Sequence, residues 1–404
     1  MDLLTEKYAR LATDNAPGQE GRQQRPGADL LTGETLHGTP VDFSHGDVDA
    51  FAPPPAAARD FADGLARGAA QAYTEYRGAI DIREAVADRL AAFTGASVAA
   101  GDELIITPGT QGALFLAVAA TVGRGTQVAI VQPDYFANRK LVDFFEGSVV
   151  PVRLDYLNGK PGAGLDLQQL EDAFRGGVKV FVFSNPNNPT GVVFDEREIR
   201  RISDLAQQHG VTLIVDQLYS RLRYDAVPYT HLRALRGDTA GIITIMGPSK
   251  TESLSGYRLG VAFGDARIIE RMEKLQAIVS LRAGGYSQAV LRGWFAEPEG
   301  WMDERIRLHQ ALRDDLLRVL RAADGVSART PDAGSYLFPR LPGLQLPTQD
   351  FVRLLRAQAG VTVTPGAEFG PHSLDSVRLN FSQDHAAAVD AARRMVQLIE
   401  RYRA

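Results

Sequence analysis

The chain has 404 residues, enough for about two to four domains of ordinary size. Hydrophobic residues make up 45% and charged residues 23%, which excludes disorder over most of the chain. Forty-four Lys and Arg against 49 Asp and Glu give a formal charge of −5, and cysteine is absent. A basic surplus for nucleic acid or anionic membrane is therefore missing, as are disulfides, thiolate metal sites and cysteine nucleophiles.

The opening residues MDLLTEKYAR carry neither a cationic stretch nor an apolar core, so no secretory signal is expected. Apolar runs such as Ala113 to Ala120 fall far short of the ~20 residues that cross a bilayer. A soluble cytoplasmic protein follows as the expectation. Residues 14–40 are rich in Gly, Pro and polar residues and are expected to form an irregular arm.

Strand-like and helix-like segments then alternate. ELIIT (103–107) precedes a helical stretch from Ala113 to Val122, and QVAIV (127–131) precedes one from Ala137 to Glu146. SVVPV (148–152) leads to Leu167–Phe174, and VKVFVF (178–183) leads to Glu196–His209. VTLIVD (211–216), GIITIM (241–246) and RLGVAF (258–263) continue the series. Short runs that are apolar throughout suit strands buried on both faces, with helices as crossovers. That predicts an α/β domain with a mostly parallel sheet.

After about residue 300 the pattern mixes. A long helix is predicted over Trp301–Ala323, then a strand pair at 326–330 and 335–341. A helix near 349–359, strands at 361–364 and 376–381, and a last helix near 384–402 complete the chain. We expect a large domain over 55–295 and a smaller α+β domain over 296–404. Residues 1–54 would supply the arm and part of the smaller domain.

Polar residues collect where strands end. Lys250 follows strand 241–246 in a Gly/Pro/Ser turn, at the sheet edge where open α/β folds bind their ligands. Ser184-Asn-Pro-Asn-Asn-Pro-Thr-Gly191 follows strand 178–183, and Asp216 and Tyr219 follow strand 211–215. Pro108-Gly-Thr-Gln-Gly112 opens a helix whose free N–H groups can hold a phosphate. Singly, each has a bland explanation as a turn, a helix cap or a solvated lysine.

In register, these residues resemble the fold-type I pyridoxal-phosphate enzymes of the class I/II aminotransferase family. The resemblance runs from about residue 40 to residue 381. Its spacings are 28 residues from Asn188 to Asp216, 34 to Lys250, 8 to Arg258 and 120 to Arg378. The resemblance implies pyridoxal 5′-phosphate as cofactor, with Lys250 forming an aldimine and moving the proton through a quinonoid intermediate. Asp216 would pair with the pyridinium nitrogen, and Asn188 and Tyr219 with the phenolic oxygen. Tyr135 would stack on the ring. Gly109, Thr110, Gln111, Ser249 and Arg258 would hold the phosphate. Arg378 would clamp the substrate carboxylate, with the Gly46 backbone and Asn188 beside it. Tyr73 matches a tyrosine that reaches the phosphate of a neighbouring subunit, which implies a homodimer with shared sites.

Two departures stand out: Gly247 replaces a Ser or Thr common in the family, and Gly46-Asp-Val-Asp is a loose form of its G-E-P-D. The implied reaction is transfer of an amino group between an α-amino acid and a 2-oxo acid. The alternative on the same scaffold is elimination, replacement, cyclisation or oxidation in specialised biosynthesis. A non-enzymatic sensor is disfavoured, because the matched region is preceded by no recognition-helix pattern or basic patch. The seven histidines show no i,i+4 pair, so no metal is expected. Residues near Tyr336, Gly284–Ser287 and the arm are expected to line the side-chain pocket.

Overall fold

The computed structural model describes residues 2–13, 16, 18, 31–158 and 162–404. Its centre is a seven-stranded sheet of β2 (Leu104–Pro108), β3 (Gln127–Gln132), β4 (Ser148–Arg153), β5 (Val180–Ser184), β6 (Thr212–Asp216), β7 (Ile242–Met246) and β8 (Leu259–Gly264). A two-residue strand, β1 (Val41–Asp42), precedes them in the chain. The spatial order is β2-β8-β7-β6-β5-β3-β4. Only β8 runs against its neighbours, pairing antiparallel with both β2 and β7.

The apolar runs work as expected because successive side chains leave opposite faces. Val180 and Val182 pack with Ala113, Ala117 and Ile269 on one side of the sheet. Phe181 and Phe183 pack with Leu170, Ile199 and Ile202 on the other. Helices 109–121 and 266–279 cover the first face, and helices 167–175 and 196–209 the second. Helix Glu196–His209 has the predicted bounds for a local reason. Asp195 and Glu198 form a reciprocal capping box at its start, and Gly210 ends it at φ 64°.

The C-terminal third builds its own core. Helices Trp301–Arg321, Thr348–Ala359 and His385–Arg401 pack Leu312, Leu316, Leu355, Met395 and Leu398 against Val377 and Leu379. The last two residues lie on β12 (Val377–Asn380), the middle of a three-stranded antiparallel sheet. Its partners are β9 (Tyr336–Leu337) and β11 (Thr364–Pro365), while β10 (Val361–Thr362) pairs in parallel with β1. Val41 and Phe43 join this core from the arm, and Leu222 and Tyr224 join it from the middle of the chain.

Three details differ from the sequence reading. The strand pair over 326–330 and 335–341 reduces to the bridge Ser327–Arg340 and the short β9. The predicted strand 361–364 divides at Val363, so its halves serve two different sheets. The arm begins with a helix, Leu3–Ala9, that rests on helix 136–144 through Tyr8 and Lys7 against Phe144. Lys140 secures that contact, donating to the Ala12 carbonyl at 2.7 Å and pairing with Glu368 at 2.9 Å. The predicted arm residues 14, 15, 17 and 19–30 lie outside the described residues. Among the described residues, no helix is long and apolar enough to cross a membrane.

Candidate active site

The carboxyl ends of β3, β5, β6 and β7 open on a cavity of about 250 Å³, as parallel strand ends in open sheets do. Thr110, Gln111, Tyr135, Asn188, Asp216, Tyr219, Ser249, Lys250, Arg258 and Arg378 line it together. They arrive from several separate strand ends and turns, so the fold assembles what the chain disperses over nearly 270 residues. Among the described residues no group of three or more His, Asp or Glu is arranged to hold a metal ion.

The first turn of helix Gly109–Thr121 starts earlier than predicted, at Gly109. Its leading N–H groups have no partner within the helix and give the cavity a positive end. Gly109 takes φ +78°, and a side chain there would meet the Arg258 guanidinium at 2.4 Å. Arg258 itself sits at φ 54°, a left-handed conformation that a non-glycine residue adopts at a cost. Ser249 is buried beside it and donates to the Leu259 carbonyl at 3.3 Å. Gly247 also has a structural reason. A side chain there would lie 2.8 Å from the Thr110 methyl and 3.1 Å from the Gly260 Cα. Thr110 occupies the space that a Ser or Thr would need.

Opposite this end, Arg378 lies on the middle strand β12 and is 2% exposed, not a surface ion pair. It donates to Asn188 Oδ1 at 3.2 Å and to the Ser44 carbonyl at 2.9 Å, and stacks on Tyr336 at 4.4 Å. Its Nε–H is buried without a partner. Tyr219 donates to Tyr336 at 2.5 Å, and burial raises its phenol well above the ordinary value. Tyr135 faces the cavity while its ring also packs on Phe136, and its hydroxyl donates to Gln111 at 3.0 Å.

Charge distinguishes this cavity. Lys250, Arg258 and Arg378 have no acidic partner among the described residues, and Asp216 has no basic one. Asp216 accepts one N–H, from Leu218 at 3.0 Å, and burial pushes it up to about 6. A wider cleft of about 540 Å³ near Arg153 carries none of these residues, and there Arg153 already pairs with Asp155 at 3.6 Å. Three free cations, a helix N-terminus and one free carboxylate suit a ligand with a phosphate, a second anionic group and a protonated ring nitrogen. Pyridoxal phosphate with an amino acid has those groups, so the residues present fit it.

Not every predicted residue joins the cavity. Gly46 lines a small hollow beside Ser249 and Lys250, where Asp47 N–H donates to the Ser382 carbonyl at 2.7 Å. Tyr73 is 81% exposed and lies outside, with Arg282 over its ring at 5.7 Å. Gly284–Ser287, expected in the side-chain pocket, instead pack beside Gln71 and Ala72; a side chain on Gly285 would meet the Gln71 carbonyl at 2.1 Å. From the arm, Gly18 reaches the cavity, as do Ser44 and His45. Asp134 and Ser184 were not singled out as functional from sequence; Ser184 lines the cavity, and Asp134 lies behind it, bonded to Ser184. The available signal was an acid within Pro133-Asp-Tyr135 after a buried strand.

Comparisons with known proteins agree with this geometry. The family model "Aminotransferase class I and II" matches residues 39–395. A solved aspartate aminotransferase from Rhodobacter sphaeroides is 64% identical, with a TM-score of 0.94 over 99% of this chain and 100% of that one. The aspartate aminotransferase of Sulfurisphaera tokodaii is 28% identical over 338 residues, covering 81% of this chain and 82% of the relative. The aromatic-amino-acid aminotransferase 2 of Thermococcus litoralis is 25% identical over 81% of this chain and 84% of its own. The chain belongs to the class I and II aminotransferases, a family of pyridoxal-phosphate enzymes of fold type I, and is an amino-acid aminotransferase.

Proposed function

We propose that the protein uses pyridoxal 5′-phosphate to move an amino group from aspartate to a 2-oxo acid, working as a homodimer. The observation that carries the cofactor assignment is the set of unpaired charges in one cavity: Lys250, Arg258, Arg378 and Asp216. The amino donor follows from the 64% identity to a protein described as an aspartate aminotransferase.

Bound pyridoxal phosphate supplies a carbonyl carbon for the substrate amine and a ring that accepts the electron pair left at Cα. The chain's own residues do the rest. Lys250, whose amine makes no hydrogen bond among the described residues, carries the proton to and from substrate Cα. Asp216 would hold a proton on the ring nitrogen, Asn188 and Tyr219 would hydrogen-bond the phenolic oxygen, and Tyr135 would stack on the ring. Arg258, Ser249, Thr110, Gln111 and the Gly109 turn hold the phosphate. Arg378 takes the α-carboxylate in its guanidinium fork, with the Gly46 backbone beside it. In this division residues 55–295 bind the cofactor, while 296–404 and the arm bring the carboxylate clamp.

The dimer reading rests on the surface around Tyr73. Tyr76, Ile278, Val279 and Leu281 are also exposed there, 42%, 81%, 59% and 53% respectively. Clustered exposed apolar groups of this kind mark protein interfaces. A second copy covering them would bring Tyr73 to the partner's phosphate.

Three outcomes test these assignments. Mixing the purified enzyme with single amino acids should convert aspartate to its oxo acid, detected by mass spectrometry, and Lys250→Ala should abolish the conversion. Ammonia release, unsaturated products or oxygen consumption would support a different reaction.

The pH dependence of stability tests Asp216. Its folded pKa of about 6 lies above the ordinary 3.8, so folding favours the protonated form. That stabilisation is complete below the unfolded pKa and is lost as pH rises through the folded one. In cofactor-free protein, Asp216→Asn should gain roughly 2–3 kcal/mol at pH 7 and lose the decline between about pH 4 and 6. Urea unfolding at several pH values measures this. Turnover should fall more than tenfold, a barrier increase above about 1.4 kcal/mol.

Subunit mixing tests Tyr73. A heterodimer of Tyr73→Phe with Lys250→Ala should place both defects in one site and leave the other intact. Recovering no active site, once exchange is demonstrated, would contradict a crossed site.

A further inference from the structure

We infer that Asp134 is a positioning residue whose carboxylate sets the polarity of a hydrogen-bond chain running from Tyr135 through Ser184 and Asn188 to Arg378. Asp134 is 3% exposed, makes no ion pair among the described residues and does not line the cavity. It touches neither bound group in the proposed function, so nothing in that function by itself accounts for a buried acid here. Its neighbours do.

Asp134 Oδ1 accepts the Tyr135 N–H at 2.7 Å, and Oδ2 accepts the Ser184 N–H at 3.0 Å. The Ser184 hydroxyl donates to Oδ1 as well. All three are donors, and the ionised acid is the form that serves them, although burial pushes its pKa up to about 7. The Asp134 N–H is used too, donating to the Phe369 carbonyl at 3.1 Å. Phe369 packs under the Arg378 guanidinium at 4.8 Å.

Direction follows from the donor inventory. A serine hydroxyl has one proton and two lone pairs. Asp134 can only accept, so the Ser184 proton points at it and the lone pairs face the other way. They receive the Asn188 N–H at 3.0 Å and the Asn187 side-chain amide at 3.5 Å. On the turn held this way, the Asn188 side-chain oxygen Oδ1 accepts from Arg378 Nη1 at 3.2 Å. One buried carboxylate thus fixes the backbone that carries Tyr135, the turn that carries Asn188, and one side of the carboxylate clamp. Asparagine has the same volume but cannot replace it. Each Asp134 oxygen accepts a backbone N–H, so an amide NH₂ would have to face one of those donors.

The inference rests on the proposed function, because the positioned residues matter only if they face the cofactor and substrate. Asp134→Asn and Ser184→Ala are made in the full chain, separately and together. Three quantities are read: urea unfolding of cofactor-free protein, the pH midpoint of the visible absorbance of protein loaded with pyridoxal phosphate, and KM against kcat for the amino donor. Both single variants should raise the absorbance midpoint by about one pH unit and raise KM about tenfold, the scale of one lost buried hydrogen bond. The double variant should be no worse than the more impaired single variant, since both act in one chain of contacts.

Unchanged midpoints and KM, with altered unfolding alone, would overturn the inference, as would effects that simply add. If Asp134→Asn does not fold, Ser184→Ala carries the same test, because it removes the acceptor of the Asn188 N–H and leaves the acid with both backbone N–H donors. A wild-type protein that takes up no cofactor would overturn the function and this inference together. A normal wild type with unmoved variants would overturn this inference alone.

Discussion

An unpaired charge is costly to bury, and four charged groups gather in this cavity with no opposite partner among the described residues. Arg378 is buried, Lys250 and Asp216 are half-buried, and Arg258 is open to solvent. Elsewhere the chain pairs its charges readily. Arg221 bridges Glu252 and Glu297, and Lys140 meets Glu368, all in buried surroundings. The contrast localises function better than size does, because the wider cleft beside β4 carries none of these four groups and its Arg153 already pairs with Asp155. What the cavity lacks internally is what an anionic, ring-bearing ligand supplies.

The fold holds these groups apart by bringing them on separate supports. Asp216 and Lys250 follow adjacent parallel strands, β6 and β7, so sheet register sets their separation. Arg258 comes from the turn into the antiparallel β8, in a left-handed conformation, and the Gly109 turn leaves just enough room for its guanidinium. Arg378 comes from a different core and a different sheet. The Asn188 side-chain oxygen joins it to the larger half, and the Ser44 carbonyl joins it to the arm. The cavity therefore lies where two independently packed cores meet, and a relative shift between them changes the distance between Arg258 and Arg378.

Much of this was legible in the chain because burial writes itself into sequence. Runs such as VFVF and IITIM are apolar on both alternating faces, which only a strand covered on both sides requires. The acid and the lysine could be placed because they sit immediately after those runs. Strand direction was not legible: LGVAFG reads like its parallel neighbours, yet β8 is antiparallel, and periodicity carries no sign of direction. The start of helix 109–121 was misplaced because Gly109, Thr110 and Gln111 resemble a loop in sequence, yet they form the first turn of the helix. Val363 looked like mid-strand, although the chain bends there to serve two sheets. Gly284–Ser287 could not be placed from sequence, because their environment is set by distant residues 71 and 72. Asp134 went unread for another reason. Its role depends on the direction of a serine proton, which no spacing encodes.

The most direct measurement asks which amine the cofactor finds. Cofactor-free protein is incubated with pyridoxal phosphate, reduced with borohydride and digested, and the labelled peptide is identified by mass spectrometry. The account predicts one label per chain, on Lys250 within Gly247-Pro-Ser-Lys-Thr251, and competition for it by inorganic phosphate. Label on another lysine, or none at stoichiometric cofactor, would contradict the claim that these unpaired charges form the cofactor site.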